Sequence, residues 1–207
     1  LVDITASSST INNGIWVENH IARSAAAVTI TRAQATNNDG DNIVILSRGT
    51  VTLDAIQATN SDNYNGLWVD NTYGTGTVSL LSKSGKNDLS GNDGYSLYIK
   101  SKGGVTIGWV DAGSSGNGAS ISTNGAVTIT GKSTDERSEF GSNDSNGLEI
   151  ITAGNITLTN VSADYNTGSG FILDNPGKPG AVKFTNAEAN YNTGDGFLVT
   201  TWGSVTM

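Results

Sequence analysis

A short pattern recurring along the whole chain constrains the fold more than any other feature. An apolar-x-apolar triplet occurs as Val2-Asp3-Ile4, Val28-Thr29-Ile30, Val51-Thr52-Leu53, Val78-Ser79-Leu80 and Val105-Thr106-Ile107. It returns as Val127-Thr128-Ile129, Ile156-Thr157-Leu158, Val182-Lys183-Phe184 and Val205-Thr206-Met207, at intervals of 22 to 29 residues. A second motif, Gly followed by apolar-x-apolar, lies between these triplets. It begins at Gly14, Gly66, Gly94, Gly118, Gly147, Gly170 and Gly196, with Asn42 in the one departing register. Asn is the next-best residue where φ must be positive, so the row predicts a left-handed backbone position. A weaker third motif ends in Ala, as in Ala33-Gln34-Ala35, Ile56-Gln57-Ala58 and Val161-Ser162-Ala163.

Each unit therefore reads as three short period-two strands separated by polar turns. A unit of this size cannot bury its inner face alone, so units must stack. Propeller blades need about 40 residues, and the leucine-rich-repeat spacing is absent. Three strands in about 25 residues predict instead an all-β parallel β-helix of about eight rungs, each rising about 4.8 Å. The whole span 1–207 reads as one such domain.

Units such as Asn155-Ile-Thr-Leu-Thr-Asn-Val-Ser-Ala-Asp-Tyr-Asn-Thr-Gly-Ser-Gly-Phe-Ile-Leu-Asp-Asn175 resemble the right-handed parallel β-helix repeats of large secreted or surface-anchored, adhesin-like bacterial proteins. The resemblance covers the entire chain. It implies a right-handed solenoid in an extracellular or cell-surface setting, and says little about activity.

Composition narrows the chemistry. The 207 residues carry 11 Lys and Arg against 19 Asp and Glu, a formal charge of −8. No basic patch is available to neutralise phosphates, so nucleic acid is not an expected partner. There is no Cys and one His, which excludes thiolate chemistry and two-His metal sites. Apolar runs are too short for membrane insertion by a helix.

Alternation along the strands assigns faces. On the first strands Thr, Ser, Asp and Lys point outward. On the strands after each Gly the outward positions include Trp16, Val44, Leu46, Trp68, Tyr98, Ile151, Ile172 and Leu198. An apolar stripe of that extent marks a contact surface. Asn38, Asn92, Asn143, Asn166 and Asn192 fall at equivalent turns, where stacked amides form a hydrogen-bonded ladder.

Catalytic candidates are sparse. Asp39 and Asp41 resemble a fragment of an oxygen-rich Ca²⁺ loop, but the full spacing is missing and solvated turn residues are the better reading. His20 has no obvious partner. Pectate-lyase-type sites need clustered Asp ligands and an Arg base, and galacturonase-type sites need paired carboxylates. Arg23, Arg32, Arg48 and Arg137 lie in different rungs, outward acids do not stack in adjacent rungs on this reading, and no enzyme or cofactor is expected.

Both termini read as ordinary repeat sequence. Inward Val2, Ile4, Val205 and Met207 are expected to abut another rung, in a longer chain or a stacked copy. The expected function is a structural, non-enzymatic segment of an extracellular fibre, extended by rung stacking and associating through the apolar face. A glycan-binding module using Trp16, Trp68 and Tyr98 is the first rival. Polysaccharide cleavage and ice binding follow. Outward Thr-x-Thr rows suit the latter, but Asp54, Leu81, Gly108 and Lys183 interrupt them.

Overall fold

A computed structural model describes residues 1–21, 25–177 and 179–207. Among these, the strand pairings are parallel and no helix forms. The chain winds into a β-solenoid of about eight turns, with equivalent positions roughly 26 residues apart.

Period-two alternation sends one set of side chains inward at every turn. On the first strands Val28, Val51, Val78, Val105, Val127, Ile156, Val182 and Val205 pair in a single row. Two residues on, Ile30, Leu53, Leu80, Ile107, Ile129, Leu158 and Phe184 form a second inward row. Thr29, Thr52, Ser79, Thr106, Thr128, Thr157, Lys183 and Thr206 alternate with them on the outside. The strands after the Gly motif make a separate eight-stranded sheet, from Ile15–Asn19 to Phe197–Thr201. Its inward Ile, Leu, Val and Phe meet the other rows in one continuous buried cluster.

First and second strands belong to one sheet, and in five of the rungs a single residue turns the corner between them. Asp3, Arg32, Ala55, Asn160 and Asn186 hold this corner at φ 51 to 52. The strand Val28–Thr36 runs straight through it. This corner corrects the expected register of the first unit. Val2 pairs with Thr31, Ile4 with Ala33 and Ala6 with Ala35, so Val2-Asp3-Ile4 spans the corner into a second strand. Val2 therefore points outward, and is 57% exposed. Ile4 faces the core as expected and packs against it.

The corner after the eight-stranded sheet carries inward polar groups that the repeat reading passes over. Ser101, Thr123, Thr152 and Thr201 each accept from the backbone N–H of a glycine two residues on, at 3.0 to 3.2 Å. Asn71 instead donates to the Gly76 carbonyl at 2.7 Å. Each satisfies a turn that would otherwise leave polar backbone buried.

Candidate functional site

The backbone ladder of the eight-stranded sheet aligns its outward residues. Trp16, Val44, Trp68, Tyr98, Ser120, Glu149, Ile172 and Leu198 form one row. Ser120 and Glu149 divide it into two apolar stretches. Leu46 and Ile151 belong to the next outward row, whose members include Asp70, Lys100 and Asp174, and stand apart from the stripe. Trp16 and Leu198 are exposed, at 52% and 44%. Val44 is fully buried despite its outward register, because it lies between Trp16 and Trp68, one rung to either side. Trp68 and Tyr98 meet edge to face, with centroids 6.4 Å apart and planes at 69°. Together with Asn65 and Tyr95 they wall a shallow hollow. Rings set at that angle make a notched surface rather than a flat platform.

The Asn row lies at the corner before this sheet, and the Gly row packs directly against it. Asn143 Nδ2 donates to Asn166 Oδ1, and Asn166 Nδ2 to Asn192 Oδ1, each at 3.0 Å. The same carboxamide oxygens accept the backbone N–H of Asn143 and Asn166. Asn38, Asn92, Asn143 and Asn166 are buried, as a structural ladder requires. Glycine precedes the sheet strand where this ladder and the neighbouring backbone carbonyls leave no room for a Cβ. A Cβ on Gly14, Gly66, Gly118, Gly147 or Gly170 would come within 2.5 to 2.8 Å of the carboxamide nitrogen of Asn38, Asn92, Asn143, Asn166 or Asn192 respectively. None of these five glycines has positive φ, so the expected left-handed backbone is replaced by a lack of room.

Two rungs break the pattern together. Where the corner residue of the following rung is Ser61, the glycine becomes Asn42. Its amide accepts from Asn38 Nδ2 at 2.7 Å and donates to Asn92 Oδ1 at 3.0 Å, carrying the ladder across. Where the corner residue is Ser115, the position is Ser96, and the two hydroxyls hydrogen-bond at 2.7 Å. The pairing of Leu97 with Leu67 places Ser96, not Gly94, in register with Gly66.

The second strands hold a constellation that the repeat reading missed. Asp88, Asp111 and Glu139 are neighbours in one outward row, so outward acids do stack in adjacent rungs. The weak second-strand motif concealed this, since its apolar positions are few and its strands only two residues long here. Lys86 Nζ lies 3.1 Å from Asp111 and 3.0 Å from Glu139. Burial opposes the lysine's charge, but its hydrogen bond to Glu139 and the charge of Asp111 outweigh that and raise its pKa. Burial raises the Asp111 carboxyl, against the pull of Lys86. Arg137 pairs with Glu188, and its carbonyl accepts from Trp109 Nε1 at 2.9 Å. Lys86 and Lys132 approach the Trp109 ring at 5.5 and 4.9 Å.

Other candidates resolve into packing. His20 is not partnerless: its ring stacks on Tyr73 at 4.1 Å, and its carbonyl accepts from Arg48 Nε at 2.6 Å. Asp41 is buried rather than solvated, because its Oδ1 accepts from both the backbone and the side chain of Asn65 at 2.9 and 2.8 Å. Asp39 is exposed. Arg23 lies outside the described residues. Among the described residues no three His, Asp or Glu side chains are arranged to hold a metal ion, and no helix is long and apolar enough to cross a membrane. At the C-terminal end Val205 keeps its inward register and is 45% exposed, and Met207 is 77% exposed. Comparison with protein-family profiles, curated proteins and solved structures gives no match.

Proposed function

We propose that this chain is a structural, non-enzymatic segment of an extracellular or cell-surface fibre, associating laterally through the outer face of its eight-stranded sheet. The apolar stretch Trp16–Val44–Trp68–Tyr98, with a second stretch of Ile172 and Leu198 beyond Ser120 and Glu149, carries this reading. Large apolar groups held in register along a rigid sheet suit a partner surface, since exposed patches of that kind are uncommon on isolated soluble domains. The edge-to-face setting of Trp68 and Tyr98 favours interdigitating side chains over a flat sugar ring. The bacterial, secreted setting rests on the resemblance of the repeats alone. Val205, Met207 and Ile4 would abut a further rung axially, supplied by continuing chain or by a second copy, and Val2 would flank that contact from outside.

The stacked carboxylates are taken up in ion pairs and turn hydrogen bonds, which supports a non-enzymatic role. Asp111 and Glu139 are held by Lys86, Glu188 by Arg137, and Asp88 accepts from Ser90. Sedimentation of wild type and the Trp16→Ser and Trp68→Ser variants tests lateral association. Assembly should be lost in the variants while the circular-dichroism spectrum is kept. Unfolding of the variants, or unchanged assembly, would overturn the reading.

A further inference from the structure

At the corner between second and third strands, one residue per turn takes a left-handed conformation. The occupants are Ser8, Asn37, Asn60, Gly91, Ser114, Ser142, Tyr165 and Tyr191, at φ 53 to 73. The first six are small or are residue types that tolerate this backbone. The two tyrosines are not, and packing returns them little: they are 61% and 77% exposed. Their rings lie nearly parallel, with centroids 4.8 Å apart and planes at 13°. Tyr191 thus backs one face of Tyr165. The rung on the other side carries Ser142, and the one before it Ser114, so the row drops away beside the free face of Tyr165. A hollow of about 270 Å³ opens there, bounded by Tyr165, Ser142, Ser114, Asp164 and the Lys86-paired Asp111 and Glu139.

We infer that this corner is a saccharide-binding site, in which a neutral sugar ring stacks on Tyr165 and its hydroxyls bond to the hydroxyls and carboxylates of the hollow. An aromatic face beside clustered short polar groups matches a ring with apolar C–H faces and a polar rim. The charge argues against an anionic ligand. Lys86 offsets only one of the two charges of Asp111 and Glu139, and the remaining carboxylates and the chain's net charge of −8 disfavour an anion. The site lies at a different corner from the lateral face proposed above and does not depend on that association.

The test is calorimetric titration of the full chain with neutral hexasaccharides of glucose (α- and β-1,4-linked), mannose, galactose and xylose. Hexagalacturonate and hexalysine serve as the anionic and cationic probes. At least one neutral hexasaccharide should bind with a Kd below about 1 mM, and hexagalacturonate about tenfold or more weakly. Tyr165→Asn, a better residue for this backbone, should weaken binding by about tenfold or more while the thermal midpoint stays the same or rises. Tyr165→Phe should stay within about threefold of wild type, because it keeps the ring face. The inference is overturned if no neutral hexasaccharide binds at millimolar concentration, if hexalysine binds in their place, or if Tyr165→Asn binds as wild type.

Discussion

At the scale of single residues, the strongest regularity is the exchange between glycine and its neighbour one turn on. Gly14 faces Asn38, Gly66 faces Asn92, Gly118 faces Asn143, whereas Asn42 faces Ser61 and Ser96 faces Ser115. A buried carboxamide costs about 1–3 kcal/mol if left unpaired, and a Cβ has no space beside one. Asn42→Gly should therefore destabilise by about 1–3 kcal/mol, because Asn38 Nδ2 and Asn92 Oδ1 lose their bridging partner. Ser61→Asn alone should crowd Asn42 and cost a similar amount. The double variant Asn42→Gly/Ser61→Asn rebuilds the arrangement of the other rungs and should recover most of both losses. Urea denaturation of the three variants reads this directly, and simple additivity of the two losses would show that the residues do not act as a pair. The Asn row was legible in the sequence because its members recur at one turn. The reason for the glycines was not, since φ and Cβ crowding leave the same mark on a sequence.

Elements show what a parallel ladder forces on side chains. Perfect register puts like residues one rung apart, which gives apolar rows inside and an acidic row at Asp88, Asp111 and Glu139 outside. Lys86 relieves that repulsion. The folded pKa of Lys86 is raised, so its stabilisation is fully present below the ordinary lysine value and lost as pH rises through the raised one. The Asp111 carboxyl is also raised, so it opposes stability increasingly as pH climbs above the ordinary carboxylate value. Lys86→Ala should cost about 1 kcal/mol near neutral pH, given that its partners are partly exposed. The loss should shrink toward about pH 4, as the Asp111 carboxyl, raised by burial, takes up its proton. Denaturation midpoints of wild type and Lys86→Ala between those pH values check this. An equal loss at both ends would mean that Lys86 acts by packing on Trp109 instead of by charge.

For the whole molecule, each turn touches only its neighbours, so stability is close to a sum of rung and interface contributions. Central inward residues such as Leu80, Leu97 and Ile129 are fully buried, whereas Phe197 and Val199 in the last turn are only partly covered. In the isolated 207-residue chain, amides of Ile4 and Val205 should therefore exchange faster than those of Leu80 or Ile99. In the native assembly, or in a chain carrying further rungs, they should be protected like the central ones. Hydrogen exchange on both materials distinguishes the cases. Fast exchange at these amides in both would remove the axial contact from the proposal.

What the sequence determined by itself was the period, the parallel stacking and the facing of the strands after the first unit. These depend on local alternation, which any short strand displays in its own residues. Hence Val28, Val51, Val78 and Val105 fall in one inward row, and Trp16, Trp68, Tyr98, Ile172 and Leu198 in one outward row. Tertiary structure decided the register between rungs. The triplet Val2-Asp3-Ile4 fits a first strand or a corner equally well by pattern, and Gly94 competes with Ser96 for one position. Turn lengths vary from rung to rung, so counting residues cannot choose between such alternatives. Only the joint fit of backbone pairing, corner φ and side-chain room does so. That fit also buried Val44 between two tryptophans and brought two acids to one lysine.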